Sequence, residues 1–338
     1  MKAAVVREFG EALQVEEIPA PVPAPDEVLV QVEACGVCHS DLHLADGDWP
    51  QLAKIIKKPL ILGHEVIGRV MDRGSAVTRP EPGERVGVPW IHWTCGKCEL
   101  CREGCENLCL AQMITGATVD GGYAEFIKAK ASHVVPVPES LDSIEAAPLF
   151  CAGVTVYRAI KNAGIRPGQR VAVFGIGGLG HLAVQIAAQR GARVIAIDIA
   201  PEKLDLALSL GAEKAFDASA DDVRKEFRAL GGAHFALVTS AAKVAYESAF
   251  TSLRRGGTLV VVGVPAEPLS IPVIAMVGAE IRILSSSVGT REDLRETLEL
   301  AAAGKIRCQV EARPLDQINQ IFDTMRRGTI VGRVVLKM

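Results

Sequence analysis

Hydrophobic and polar positions follow two different patterns along the chain. Up to about residue 150, short apolar runs alternate with polar positions, as in residues 27–33 and 63–70, and turn signals such as the proline-rich stretch 19–25 separate them. Alternation with a period of two is typical of strands that bury one face. This part of the chain therefore predicts a β-rich domain with long loops.

From residue 171 the apolar runs become continuous and alternate with helical segments. The pattern predicts strands at 171–174, 193–197, 236–239, 258–263 and 280–284, and helices at 181–190, 202–210 and 243–253. Alternating strands and helices are typical of a doubly wound parallel sheet, which makes the protein an α/β protein.

A third change of pattern occurs after about residue 287. Helices are predicted at 291–303 and 315–327, and a final strand at 332–336. We expect this tail to rejoin the first domain, so that residues 1–151 and 288–338 form one discontinuous domain and residues 152–287 form the other. A length of 338 residues is typical of two domains.

Composition narrows the range of functions. The net charge is −3, and 23% of the residues are charged without long runs of one sign, so nucleic acids and anionic membranes are poor candidates for partners. The uncharged window 171–189 is nearly long enough for a membrane helix, but its glycines favour a strand, a turn and a helix. Charges near the N-terminus argue against a signal peptide, so we expect a cytoplasmic protein that acts on a small molecule.

Cysteine spacing predicts a structural metal site. Two overlapping C-x2-C steps contain Cys95, Cys98 and Cys101, and Cys109 lies seven positions beyond them. Four thiolates that turn back on one ion are typical of structural zinc, with no coordination position left for a substrate. Cys105 lies in the same loop and remains a competing candidate for a ligand.

A second group of candidate residues follows the first predicted long strand. Cys38, His39, Ser40, Asp41 and His43 combine a thiol, two imidazoles, a hydroxyl and a carboxylate within six positions. Such a cluster is compatible with a metal site and adjacent proton-transfer groups. From this stretch alone, ordinary packing and surface residues are the more common interpretation.

His64 and Glu65 stand at the start of the predicted strand 63–70, with glycines on both sides. A buried histidine satisfied by hydrogen bonds is one interpretation of His64. The neighbouring carboxylate and the flexible glycines favour a metal ligand instead.

The glycine turn after the strand 171–174 predicts a dinucleotide site. A strand, a turn, a helix and a second strand that ends at Asp198 form the pattern in which glycines admit a pyrophosphate and an acid binds the ribose. Asp198 would repel a 2′-phosphate, which favours NAD over NADP, although Lys203 could weaken that preference. The predicted loop residues are Gly175, Gly177, Gly178, Leu179 and Gly180.

Taken together and in this order, the motifs resemble those of the zinc-dependent alcohol dehydrogenases of the medium-chain dehydrogenase/reductase superfamily, and most closely its NAD-linked bacterial and yeast-type branch. The resemblance covers essentially the whole chain. It implies a GroES-like catalytic domain, a Rossmann domain, two zinc ions per chain and NAD. The implied reaction is reversible hydride transfer between a small alcohol and NAD.

The resemblance also implies roles for single residues. Cys38, His64 and Cys151 would bind a catalytic zinc, with Glu65 close to the metal and Asp41 behind His64. Cys151 is instructive, because from its own neighbourhood it reads only as a buried cysteine.

Further implied roles concern protons, cofactor and substrate. Ser40 and His43 would carry the hydroxyl proton to solvent, and Trp49 and Trp90 would line the substrate pocket, unless both are ordinary buried aromatics. Arg333 would contact the pyrophosphate, although a plain edge-strand cation is the alternative. The other implied cofactor contacts are His39, Thr155, Val262 and Val264.

Relatives of this kind are dimers or tetramers, and residues 271–284 could supply the subunit edge here. A polyol or cinnamyl alcohol dehydrogenase and a non-catalytic NAD-binding homologue remain alternatives. The physiological substrate and the preferred direction stay open.

Overall fold

The chain folds into two units in the computed structural model, which describes residues 1–49, 54–56, 58–265 and 267–338. Unit 1 comprises Met1–Val154 and Thr290–Met338, and unit 2 comprises Thr155–Gly289. The sequence-based boundaries at 151/152 and 287/288 lie within a few residues of these bounds.

Unit 1 is rich in β-structure. Its largest sheet has the strand order β10-β6-β5-β3-β18-β17, with β9 also paired to β3. The last strand, β18, lies between β3, to which it is antiparallel, and β17, to which it is parallel. The strands of unit 1 are β1 Lys2–Val6, β2 Gln14–Glu17, β3 Glu27–Val37, β4 Leu60–Ile61, β5 Val66–Arg73, β6 Arg85–Val88, β7 Ile91–Trp93, β8 Met113–Ile114, β9 Phe126–Lys130, β10 Val135–Pro136, β17 Val310–Pro314 and β18 Arg333–Lys337.

Short helices connect and cover these strands. The helices of unit 1 are α1 His39–Asp46, α2 Glu99–Arg102, α3 Ser143–Ala146, α10 Arg291–Ala302 and α11 Ile318–Arg326, with 3-10 turns at Glu106–Leu108, Ala147–Phe150 and Leu315–Gln317. The helix predicted over 315–327 thus starts with a 3-10 turn, which is common at helix N-termini. In α11, residues with helical spacing are buried in the core, namely Ile318, Ile321, Phe322 and Met325.

Unit 2 is built on a parallel sheet, as the alternating pattern predicts. The strand order is β13-β12-β11-β14-β15-β16, and every pairing is parallel. The strands are β11 Arg170–Phe174, β12 Arg193–Asp198, β13 Lys214–Asp217, β14 Ala233–Val238, β15 Leu253–Val261 and β16 Arg282–Ser285. The accompanying helices are α4 Ala152–Ala163, in which the boundary between the units falls, α5 Gly180–Gln189, α6 Pro201–Ser209, α7 Val223–Ala229, α8 Lys243–Ser252 and α9 Val273–Gly278.

Several strands of unit 2 differ from the sequence-based expectation. β14 begins at Ala233 rather than at 236, and β16 begins at Arg282 rather than at 280. The sequence pattern predicts no strand at β13, because this segment has no continuous apolar run. β13 is an outer strand of the sheet, and its side chains are partly exposed. β15 begins at Leu253 rather than at 258, because Leu253 pairs with Ala233 before a shift in register.

The uncharged window 171–189 forms a strand, a loop and a helix, as predicted. Among the described residues, no helix has both the length and the apolar character needed to cross a membrane.

Candidate metal centres and cofactor loop

A first cluster of candidate ligands assembles within unit 1 from three distant segments. Cys38 lies between β3 and α1, His64 and Glu65 lie just before β5, and Cys151 follows the 3-10 turn Ala147–Phe150. One ligand atom from each of these four side chains lies within 4.8 Å of the others. The two sulfur atoms, Cys38 Sγ and Cys151 Sγ, are 3.9 Å apart.

The donor set fits a zinc ion. His64 is completely buried, and its Nε2 atom has no hydrogen-bond partner among the residues that the structure describes, although a buried imidazole nitrogen normally requires one. Its Nδ1 atom lies 3.1 Å from Asp41 Oδ1, close enough for an ion pair but outside hydrogen-bond alignment. One imidazole and two thiols are typical ligands of a catalytic zinc that keeps a fourth position open.

Asp41 is hydrogen-bonded to the segments that carry two of the candidate ligands, Cys38 and His64. Its two carboxylate oxygens accept hydrogen bonds from Cys38 N at 2.9 Å, Gly63 N at 3.2 Å and Tyr123 Oη at 2.8 Å. Burial raises the pKa of Tyr123, so its hydroxyl remains a donor. The sequence singles out Asp41 but not Tyr123, because a lone tyrosine 82 positions away carries no local signal.

The protein groups of the cluster favour a thiolate next to an imidazolium. The hydrogen bond from Cys151 lowers the pKa of Cys38 well below the ordinary thiol value, while the same hydrogen bond raises that of Cys151. Burial is the largest single effect on His64 and opposes its charging, but the charges and hydrogen bonds of Asp41 and Cys38 together raise the pKa of the imidazole. A negative charge is therefore readily available on one sulfur for a cation.

Glu65 is paired with Arg333 rather than exposed to solvent. Arg333 Nη2 donates to Glu65 Oε1, and the two side chains are 5% and 0% exposed. Burial raises the pKa of Glu65 to about 7, and the positive charge of Arg333 acts in the opposite direction. Gly36 makes the position possible, since a Cβ atom there would lie 1.8 Å from Glu65 Oε2.

The position of β18 inside its sheet excludes one of the two interpretations of Arg333 that the sequence left open. Arg333 is not an edge-strand cation, because β18 has a neighbouring strand on each side. Its contact with a cofactor pyrophosphate stays a prediction. The ion pair with Glu65 was not predicted from the sequence, since the two residues are 268 positions apart.

The predicted proton-transfer residues lie on α1. His39 is exposed, whereas Ser40 and His43 are partly buried. His43 Nδ1 lies 2.8 Å from Asp48 Oδ2, so a carboxylate fixes the orientation of the ring at the partly exposed end of the helix.

The two tryptophans of the predicted substrate pocket are close to this region. The ring of Trp49 is 5.2 Å from that of His43, and the ring of Trp90 meets His64 edge-on at 4.6 Å. Both indoles are partly buried. Trp90 therefore lies directly against a candidate metal ligand.

The second cluster is the cysteine loop. Sγ atoms of Cys95, Cys98, Cys101 and Cys109 lie within 4.8 Å of one another, and Cys105 is not part of this group. Hydrogen bonds from two backbone N–H groups of the loop lower the pKa of Cys95 to about 6, so this thiol ionises easily. Four converging sulfur atoms fit a closed tetrahedral zinc site.

The glycine loop in unit 2 lies between the carboxyl end of β11 and the start of α5. A Cβ atom at Gly180 would lie 1.8 Å from Gly175 O, so only glycine allows the helix to begin this close to the turn. Asp198 Oδ2 accepts a hydrogen bond of 2.6 Å from Ile176 N. The loop and the acid at the end of β12 are thus adjacent, as a dinucleotide site requires.

The remaining predicted cofactor contacts also belong to unit 2. Thr155 on α4 and Lys203 on α6 are partly buried. After β15, Val262 is buried and Val264 is 65% exposed. Gly177, Gly178 and Leu179 are partly buried in the loop itself.

Comparisons with known proteins agree with this geometry. Residues 24–139 match the alcohol dehydrogenase GroES-like domain, and residues 178–303 match the zinc-binding dehydrogenase domain. The chain is 49% identical to an alcohol dehydrogenase of Geobacillus stearothermophilus, with 100% of both chains covered.

Solved structures give the same result. The alcohol dehydrogenase of the hyperthermophilic archaeon Aeropyrum pernix is 36% identical, with a TM-score of 0.93 and 100% of both chains covered. A cinnamyl alcohol dehydrogenase of Sorghum bicolor is 32% identical, with a TM-score of 0.89, 99% of this chain and 97% of the other covered. The chain therefore belongs to the zinc-type medium-chain alcohol dehydrogenases.

Proposed function

We propose that the protein is an NAD-dependent alcohol dehydrogenase that interconverts small alcohols and their aldehydes or ketones with about two zinc ions per chain. One observation carries the proposal: the buried Nε2 atom of His64 has no hydrogen-bond partner in the described part of the chain and lies among two thiols and a carboxylate. A bound cation is the partner that this donor set fits.

The chain's own residues define the reacting centre. Cys38, His64 and Cys151 would hold a zinc ion, which when bound supplies a positive charge that lowers the pKa of an alcohol hydroxyl. Asp41 holds the imidazole of His64 in position through the contact at Nδ1. Glu65 places a second carboxylate next to the ligands, and the guanidinium of Arg333 offsets its negative charge.

Proton transfer is assigned to α1. Ser40 would accept the hydroxyl proton of the alcohol, and His43 would pass it to solvent, because its ring is partly exposed and oriented by Asp48. The half-buried indoles of Trp49 and Trp90 would narrow the substrate pocket towards small primary alcohols.

Cofactor binding is assigned to the loop of unit 2. NAD supplies the hydride acceptor, and Gly175–Gly180 would admit its pyrophosphate while Asp198 accepts hydrogen bonds from the ribose. A carboxylate at this position disfavours the 2′-phosphate of NADP. His39 and Arg333 would approach the pyrophosphate, and Thr155, Val262 and Val264 the nicotinamide half.

We further propose a cytoplasmic homo-oligomer, a dimer or a tetramer. Unit 2 exposes an apolar surface beside the outer strand β16, and such surfaces are typical of subunit interfaces. The most exposed of its residues are Val273, Val277 and Ile274, with exposures of 60%, 68% and 92%. The reduced cysteines that both metal sites need support a cytoplasmic location.

The proposal is tested with two matched thiol-to-hydroxyl variants. Cys151→Ser should abolish ethanol oxidation with NAD and remove about one zinc ion per chain, because it removes a ligand. Cys105→Ser, which lies outside both clusters, should retain activity and metal. Full activity of Cys151→Ser, or binding of NADH without oxidation of any alcohol by the wild-type protein, would contradict the assignment.

The substrate class is tested by kinetics across ethanol, benzyl alcohol, cinnamyl alcohol, sorbitol and 2-propanol. The proposal expects the highest kcat/KM for a small primary alcohol. A clear preference for cinnamyl alcohol or sorbitol would assign the protein to one of the alternative classes of the superfamily.

A further inference from the structure

An open cleft lined by arginines lies at one end of the parallel sheet in unit 2. Its volume is about 540 Å³, and it is lined by Arg170, Arg228, Arg254 and Arg255 around the turn at Gly231 and Gly232. Among the residues that the structure describes, no carboxylate belongs to its lining. We call this feature the arginine cleft.

The positive charges of the arginine cleft are not neutralised by the protein. Within the described ranges of the chain, none of its four arginines forms an ion pair with a carboxylate. Instead, Arg170 donates to Gly232 O at 2.8 Å, and Arg255 donates to Gly278 O at 3.1 Å. Because a guanidinium has five N–H donors, each of these side chains keeps donors for a ligand.

The pKa of a neighbouring histidine, His234, is affected by the positive charges of the arginine cleft. Burial lowers the pKa of His234, and the charges of Arg254 and Arg170 lower it further. The ring does not add to the positive charge, because its Nδ1 atom accepts a hydrogen bond from Arg170 N at 3.1 Å.

The backbone of the arginine cleft has a turn that requires glycine. Gly232 has a φ of +76°, and a Cβ atom there would lie 2.6 Å from Arg254 N. Glycine at this turn therefore lets the start of β15, which carries Arg254, approach the start of β14. The four arginines thus line one cleft although like charges repel one another.

The arginine cleft is separate from the glycine loop. Arg170 is the first residue of β11, whereas Gly175 follows its last residue. The arginines at the starts of β11 and β15 thus lie at the amino edge of the sheet, and the cofactor loop lies at the carboxyl edge, about one strand length or ~15 Å away. Dinucleotides bind at the carboxyl edge, so NAD does not account for these charges.

We propose that the arginine cleft binds the diphosphate group of a small phosphorylated molecule, independently of alcohol oxidation. Guanidinium groups bind phosphate oxygens with two parallel hydrogen bonds, and four of them without an acid match a ligand with several negative charges. The volume is in the range of sites for small ligands, ~300–1,000 Å³.

The test is a calorimetric titration of inorganic pyrophosphate into the zinc-loaded protein, with and without saturating NADH. We expect one site per chain, unaffected by NADH. Arg228→Ala/Arg254→Ala should weaken binding by about tenfold or more, because it removes two charged donors. Arg224→Ala/Lys225→Ala removes the same net charge outside the cleft and should bind as the wild type does.

The control variant distinguishes a specific site from general charge attraction. Equal weakening in both double variants would mean such attraction and would overturn the proposal, and equal, undiminished binding in both would mean chelation of zinc by the probe and would overturn it too. So would competition by NADH, the absence of binding at millimolar pyrophosphate, or undiminished binding by Arg228→Ala/Arg254→Ala. If that variant melts early, the exposed single substitutions Arg228→Ala and Arg224→Ala give the same comparison.

Discussion

Arg333 and Glu65 form a buried ion pair although 268 positions of the chain separate them. The pair joins strand β18 to the segment that carries His64. Neither side chain reaches bulk solvent, since the two are 5% and 0% exposed. The carboxylate beside the proposed catalytic ligands is therefore controlled by a single guanidinium.

Arg333→Met should lower the free energy of unfolding by about 3–5 kcal/mol, because it leaves Glu65 buried without its partner. Glu65→Gln/Arg333→Met should cost less than Arg333→Met alone, since no uncompensated charge remains. Urea denaturation of the zinc-loaded proteins measures both values. Additive losses in the double variant would show that the two side chains are not coupled.

The cysteine loop leads to a prediction about metal content. Cys101→Ser should leave about one zinc ion per chain and lower the melting temperature, because a closed four-thiolate site loses a ligand. Cys105→Ser should retain both ions, since Cys105 is not one of the converging thiols. The zinc content of the two variants is measured by mass spectrometry. Loss of zinc from Cys105→Ser would show that Cys105 is a ligand and would contradict the predicted set of four.

Cofactor preference is expected to depend on Asp198. Asp198→Ala should raise KM for NAD about tenfold, because a charged hydrogen bond to the ribose is lost. The carboxylate also accepts a hydrogen bond from Ile176 N, so loop distortion would affect NAD and NADP alike. Steady-state kinetics with both cofactors separates the ribose contact from loop distortion. An equal rise in the KM values for NAD and NADP would show that Asp198 does not bind the ribose.

The proton path is expected to show in a pH profile. His43→Ala should slow turnover mostly at low pH, where protons leave the site least readily and a base is most needed. Asp48→Asn should give a smaller change of the same kind, since Asp48 only orients the ring. Measurement of kcat from pH 5 to 9 tests this expectation, and an unchanged profile for His43→Ala would exclude His43 from proton transfer.

His133 should make stability depend on pH. Burial and the charge of Arg291 lower its pKa to about 4 in the folded protein, whereas the unfolded chain takes up a proton below about pH 6.5. The unfolded state thus binds more protons between these values, and the free energy of unfolding falls by on the order of 2 kcal/mol as pH decreases from 6.5 to 4.

A His133→Gln variant isolates this effect. At pH 7.5 it should be less stable than the wild type, because the ring nitrogen that accepts a hydrogen bond from Thr94 N at 3.0 Å is lost. At pH 5 the difference in melting temperature should shrink. The wild type loses stability because its unfolded chain takes up a proton at His133, and the variant has no histidine there to protonate. A difference that stays constant over this range would contradict the assignment.

Local chemistry made part of the fold and site predictable from the sequence. The C-x2-C spacing of Cys95, Cys98 and Cys101 predicts a cluster, and the structure brings these thiols together with Cys109. The parallel sheet of unit 2 was predicted because its central strands are continuously apolar. These features depend on residues close to one another in the chain.

Features that depend on distant residues were not predictable in the same way. Cys151 reads locally as a core cysteine, and only the family resemblance implies that it meets Cys38. Tyr123 and the pairing of Arg333 with Glu65 had no signal, because one sequence does not reveal which strands become neighbours. β13 was missed because its side chains are too polar to form an apolar run.

The central position of β18 has a consequence for biosynthesis. Its partners are β3, made early, and β17, made late, so the main sheet of unit 1 cannot be completed until the whole of unit 2 has been translated. Unit 2 is contiguous and can fold while the ribosome is still working, since domains generally fold as units during synthesis. The ion pair between Arg333 and Glu65 can form only after β18 has been made, and a chain released before that strand has a carboxylate but no guanidinium beside its proposed metal ligands.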